Sequence, residues 1–220
     1  MKHLDLLQLI KIDRSVARSV NLDRDADDTS LLHRFQITPV ACSTLCRLAD
    51  AIEGESINAW SLTGPYGTGK SAFCNFLIAL SCADQTTRNL CYKKLQKADK
   101  KLSTRLKTFL STDSTSAPAI GIRAVSRYES LNSTLVRGLS SSLQLMPTHS
   151  ESAALRRLRK NVSLLEDKEW PATRSVVDAF LALAEITGKP VFIVVDEFGK
   201  NLEYQAHHEE RGDIFALQAL

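Results

Sequence analysis

Gly64-Pro65-Tyr66-Gly67-Thr68-Gly69-Lys70-Ser71 constrains this chain more than any other stretch. It satisfies the spacing G-x-x-x-x-G-K-[ST] at every fixed position. Glycines at 64, 67 and 69 let the backbone wrap with its amides facing inward, where a side chain would block a phosphate. The flanks suit that reading. Residues 59–63 (AWSLT) read as a buried strand entering a Gly-rich turn, and residues 71–82 as a strongly apolar helix. A helix starting there presents its positive dipole end to the same anion. Lys70 is then placed to reach the β- and γ-phosphates, and the Ser71 hydroxyl to ligate Mg2+. Pro65, Tyr66 and Thr68 complete the loop, with Tyr66 either packed over a nucleotide or facing solvent.

A second pattern stands far downstream. Val191-Phe192-Ile193-Val194-Val195 is an unbroken apolar run, the mark of a strand covered on both faces, and it ends in Asp196-Glu197. Carboxylates at the carboxyl end of a parallel strand lie in the crevice where such sheets bind ligands. Asp196 is placed to hold Mg2+ through a water, opposite Ser71. Glu197 is placed to orient and deprotonate an attacking water. Two acids closing a strand are commonplace alone; the phosphate loop upstream gives them meaning.

Between and around these motifs, residues 1–20 read as a short amphipathic helix and residues 21–30 as a solvated polar linker, giving an N-terminal segment 1–38 ahead of a core 39–220. Asp23, Asp25 and Asp27 imitate the opening of a calcium loop. Asp28, however, occupies the glycine position, and Arg34 replaces the closing glutamate. Residues 39–52 form a helix with Leu45, Leu48, Ala49 and Ile52 on one face; its Cys42 and Cys46 lack a second pair and suit packing better than metal. Residues 84–110 read as helical and basic, 111–118 as a loop, and 119–125 as a strand. Leu131, Leu135, Leu139 and Leu143 recur at helical spacing, and residues 148–170 are polar and ambiguous. Pro171 fits the first turn of a helix carrying Val176, Phe180, Leu183 and Ala184, stopped by Gly188 and Pro190. Helices alternating with buried strands give an α/β class with a mainly parallel sheet.

Composition excludes several classes. With 44% hydrophobic and 24% charged residues among 220, the chain is no disordered, collagen-like or disulfide-scaffold sequence. A net charge of +3 leaves any nucleic-acid footprint local. The local candidate is residues 88–107, where Arg88, Lys93, Lys94, Lys97, Lys100, Lys101, Arg105 and Lys107 face one acid, Asp99. Such a stripe suits either a phosphate backbone or a solvated helix face. Arg156, Arg157, Arg159 and Lys160 form a second cluster open to the same two readings. No apolar run spans a bilayer, no clean signal-peptide core is seen, and five cysteines lack framework spacing; the expectation is a cytoplasmic chain with no membrane partner. His207-His208-Glu209-Glu210 reads as exposed rather than metal-binding, and Arg211 is a candidate contact to nucleotide in a neighbouring subunit.

GPYGTGKS together with VFIVVDEFG resembles the P-loop NTPases that carry an added catalytic glutamate, most of all the AAA+ and STAND ATPases. Residues 39–52 and DEFGKNLE are similar to large bacterial ATPases of mobile-element and phage-defence loci. The likeness covers residues 60–71 and 191–203. It implies a three-layer α/β P-loop NTPase fold, with ATP and Mg2+ as ligands. Gly64, Pro65, Tyr66, Gly67, Thr68, Gly69, Lys70 and Ser71 would bind the nucleotide, Ser71 and Asp196 the metal, and Glu197 would be catalytic. The implied activity is ATP hydrolysis driving conformational change in a larger assembly, whose partner is nucleic acid, another protein or further copies of the chain. ATP over GTP follows from the likeness and from the lack of an N-K-x-D sequence.

In that group the strand following the acidic one inserts beside the phosphate-loop strand. No further β-type run follows residue 197 here, so the expectation is the N-terminal part of a larger ATPase with a sheet incomplete at its C-terminus. The open alternative pairs the acidic strand directly with the phosphate-loop strand, as in kinase-like and G-protein-like folds. A different class of reading is a nucleotide-binding scaffold, or a remnant, without turnover.

Overall fold

Polar caps and apolar stripes of helical period divide most of this chain into short helices, and a computed structural model shows how they assemble. It describes residues 20–26, 28–54, 59–110, 117–147 and 152–208. Helix α1 (Thr29–Arg34) starts where the Asp28 carboxylate accepts the Ser30 amide, and α2 (Pro39–Glu53) where Thr38 Oγ1 accepts that of Ala41. Helix α3 (Lys70–Cys82) follows Gly69, and α4 (Gln85–Ala98) is capped by Asp84 through the Thr86 and Thr87 amides. Asp99 adopts extended backbone, φ −151°, and its carboxylate accepts the Leu102 amide, so α5 (Lys100–Leu110) folds back as a separate helix. These helices close a core around Leu45, Ala49, Phe76, Leu80, Cys91, Leu95 and Leu106. Phe35 stacks on Phe76 with ring centroids 4.9 Å apart.

Strands β1 (Ile120–Val125) and β2 (Val191–Asp196) pair in parallel, from Ile120 opposite Val191 to Val125 opposite Asp196. Parallel neighbours need a long crossover. Here it holds α6 (Leu131–Gln144), α7 (Ala153–Glu166) and α8 (Thr173–Thr187). Their apolar faces meet one side of the strands at Ile122, Leu135, Leu139, Val162, Val176, Phe180 and Leu183, with Ile193 against them. On the other side Leu22 is fully buried against Ile78 and Val194. Gly138 permits a close approach of α6 to β1: an added Cβ would stand 2.7 Å from the Arg123 carbonyl oxygen. Helix α9 (Gly199–His207) follows β2.

The fold overturns the expected three-layer α/β P-loop architecture with its mainly parallel sheet. The described chain is mostly helical, with two strands in one small parallel sheet. The decisive segment is 59–63, expected as a buried strand. It is irregular, exposed except at half-buried Trp60, and pairs with no strand. A strand exists only with a hydrogen-bonding neighbour, and apolar composition does not supply one. The alternative in which the acidic strand pairs with the phosphate-loop segment also fails, since β2 pairs with β1.

Smaller expectations change too. The supposed solvated linker is a tight turn that buries Leu22 and Asp25, with Asn21 Oδ1 accepting the Asp23 and Arg24 amides. Pro171 lies before helix α8 rather than in its first turn. The ambiguous stretch 148–170 contains α7. The expected helix at 1–20 falls almost wholly outside the described residues, as does most of the 111–118 loop.

Replacing Gly138 by alanine forces α6 away from β1. We expect urea denaturation to show a loss of about 1–3 kcal/mol with an unchanged denaturant slope.

Candidate functional site

The turn leading into α3 is built on backbone that favours glycine. Gly67 and Gly69 have φ of +79° and +85°, and a Cβ placed on either would meet nothing within 4 Å. Conformation, not crowding, calls for glycine at both. Lys70 Nζ donates to the carbonyls of Gly64 and Pro65, each at 2.8 Å, and Thr68 Oγ1 donates to Pro65 at 2.9 Å. The ammonium therefore sits within the turn formed by its own loop, at the start of a helix whose first amides have no intrahelical acceptors. Tyr66 is 86% exposed.

Residues far apart in sequence meet at the end of β2. Ser71 Oγ donates to Asp196 Oδ2 at 2.7 Å across 125 positions. The other carboxylate oxygen accepts the Glu197 amide at 2.9 Å, and the Asp196 carbonyl accepts the Ser126 amide at 2.9 Å. Glu197 is the one non-glycine residue with positive φ among the described residues, at +56°. That left-handed bend turns the chain sharply from β2 into α9, and the Glu197 carboxylate forms an ion pair with Lys200.

The rim is braced by buried polar contacts. Asn201, 1% exposed, donates to the Glu129 carbonyl at 2.9 Å and to Thr134 Oγ1 at 3.0 Å. Glu129 accepts from Thr134 Oγ1 and pairs with Arg137, which also donates to the Val125 carbonyl. Sequence reasoning missed Lys200, Asn201 and Glu129. Only Lys200 had a local signal, its three-residue spacing from Glu197 at a helix start.

The loop, Ser71 and Asp196 thus come together, and Glu197 lies at the same strand end. Their chemistry suits a magnesium–polyphosphate: the turn offers backbone donors and an ammonium, and one hydroxyl and one carboxylate stand side by side. Magnesium takes few protein ligands when phosphates and waters supply the rest. Elsewhere, no group of three or more His, Cys, Asp or Glu assembles among the described residues. His208 stacks on Tyr204 with centroids 4.2 Å apart; Glu209, Glu210 and Arg211 lie outside the described residues.

Internal partners break up the basic stripe. Arg88 is 3% exposed, Arg105 is tied to Asp50 and Glu53, and Lys94 Nζ donates to the His33 and Phe35 carbonyls. Lys93, Lys97, Lys100, Lys101 and Lys107 remain exposed. Among the described residues no helix is long and apolar enough to cross a membrane.

No family model matches the chain, and neither the curated proteins nor the solved structures contain a match to it.

Burial pushes the thiols of Cys74, Cys82 and Cys91 up to about 12, with the Asp196 charge adding to the effect at Cys74. These thiols stay protonated at pH 8 and react poorly with alkylating agents. Mass spectrometry after brief iodoacetamide treatment of the native chain is expected to find all three unmodified, and all three alkylated after denaturation.

Proposed function

We propose that the chain binds a nucleoside triphosphate with Mg2+, ATP by resemblance, and hydrolyses its terminal phosphate bond. One observation carries this reading: the 2.7 Å contact between Ser71 and Asp196, which joins the phosphate turn to the acidic strand end. Chance motifs on separate parts of a chain have no reason to meet. A helical scaffold with a two-stranded ribbon supports the reading as well as a larger sheet would, because the site needs only the turn, the helix start and one strand end.

Each residue has a role that follows from its chemistry. The loop amides and the start of α3 hold phosphate oxygens, and Lys70 exchanges its two loop carbonyls for the β- and γ-phosphates. Ser71 and Asp196 would hold Mg2+, which supplies charge neutralisation along the phosphates. Glu197 orients the attacking water and takes its proton. Energy released in this way would drive conformational change in a larger assembly, with a protein, nucleic acid or further copies of the chain as partner.

A second reading, nucleotide binding without turnover, draws on the Glu197–Lys200 ion pair, which engages the carboxylate meant for water. One pair of variants separates the two. Lys70→Ala is expected to abolish Mg2+-dependent nucleotide affinity in a fluorescence titration. Glu197→Gln is expected to keep that affinity while phosphate release falls by about 10²–10⁴. Unchanged phosphate release in Glu197→Gln would remove Glu197 from the reaction, and an unaltered chain that binds but releases no phosphate would establish the second reading.

A further inference from the structure

A cavity of about 230 Å3 lies between the turn that follows Leu22, the start of α1, and helices α3 and α4. Exposure shows its depth. Asn75 of α3 lines it and is 7% exposed, whereas Asp28 and Asp84, which line it too, are exposed. The amide therefore forms the floor and the two carboxylates the mouth. Buried Leu32 and Ala79 supply apolar wall between them. No residue of the Gly-rich turn or of the β2 end lines this space, so it is a site apart.

Asn75 is the group that calls for a ligand. Neither its Oδ1 nor its Nδ2 has a hydrogen-bonding partner, and among the described residues no other side chain leaves two buried polar atoms unpaired. Native chains pair nearly all such atoms, because an orphaned one carries its full desolvation cost. Charge narrows the ligand further. Among the described residues no Lys, Arg or His lines the cavity. Hydrogen bonds from the Ser30 and Thr87 side chains hold the Asp28 and Asp84 carboxyls below their usual range, so both are ionised at neutral pH. Each also caps a helix, whose partial positive charge of about one half offsets only part of the carboxylate. Size sets the last limit. Since about 150 Å3 admits a six-carbon ring, this volume takes about nine non-hydrogen atoms.

We propose that the cavity binds a small aliphatic molecule carrying a primary amide at one end and an ammonium at the other. The amide enters first. Its carbonyl accepts from Asn75 Nδ2, and its NH2 donates to Asn75 Oδ1. The ammonium stays at the mouth, against the Asp28 and Asp84 carboxylates. Those two charges oppose an acid-ended molecule, and a plain amine leaves the Asn75 donor unpaired. The site stands independently of the nucleotide reading.

The test is a ligand-observed NMR titration of the full 220-residue chain with 4-aminobutanamide. A Kd of about 10⁻⁴–10⁻³ M is expected for a ligand of this size. Two molecules of the same shape act as controls: pentanamide lacks the charge, and 4-methylpentylamine lacks the amide. Each should bind about tenfold more weakly, as should the amino amide to Asn75→Ala. Asp28→Asn and Asp84→Asn keep the capping oxygen and should each weaken binding about threefold to tenfold. Asp167→Asn removes a carboxylate from the end of α7 and should change nothing. Absence of binding by the unaltered chain overturns the inference and leaves the nucleotide reading untouched. Equal affinity for either control molecule, or unchanged affinity in Asn75→Ala, overturns it as well. Adenosine, whose base also pairs with an amide but carries no cation, should not compete; displacement of the amino amide by adenosine overturns the inference in favour of a nucleobase. Should Asn75→Ala not give the circular dichroism of the folded chain, Asn75→Leu is read in its place.

Discussion

The parallel pairing of Ile120–Val125 with Val191–Asp196 is the constraint on which the remaining structure hangs. Because a short turn cannot join parallel strands, the chain between them must travel back, and α6, α7 and α8 make that journey packed on one side of the ribbon. The other side is left for α3 and for Leu22. Side chains alternate along each strand, so register decides everything at the rim. Sliding β2 by one residue would turn Asp196 toward α6 and present Val195 to Ser71. The apolar content of both sides resists that slip.

Energetics agree that packing makes the site, not the reverse. A hydrogen bond such as that between Ser71 and Asp196 contributes about 1 kcal/mol net. Bringing together ends 125 residues apart costs about 4 kcal/mol in loop-closure entropy by itself. The contact is therefore delivered by the two apolar clusters that fix α3 and β2. Leu22 adds to this by filling the space between them, a burial worth about 1.5–3 kcal/mol.

What was legible in the sequence was what is encoded locally. The Gly-rich turn needs glycine where φ is positive, α3 announces itself by an apolar run after that turn, and the five apolar residues before Asp196 do form a strand. Leucines at spacing four gave α6. The failures have one origin: they depend on neighbours. Residues 59–63 are as apolar as a strand yet find no pairing partner, and the three-layer sheet implied by the resemblance needed them as one of its strands. Leu22 is a single apolar residue among aspartates, so no periodicity marks it as core. Helix α9 has no strong stripe; Asn201 and the stacked rings of Trp170, Tyr204 and His208 hold it.

The backbone at Glu197 has a consequence for how this protein can be altered. A left-handed residue with a Cβ costs about 1–2 kcal/mol relative to glycine, and asparagine tolerates that conformation better than glutamate does. Selection for heat resistance alone would therefore drift toward glycine or asparagine at this position and discard the carboxylate on the way. The role proposed for Glu197 would set usefulness against ruggedness at this one position.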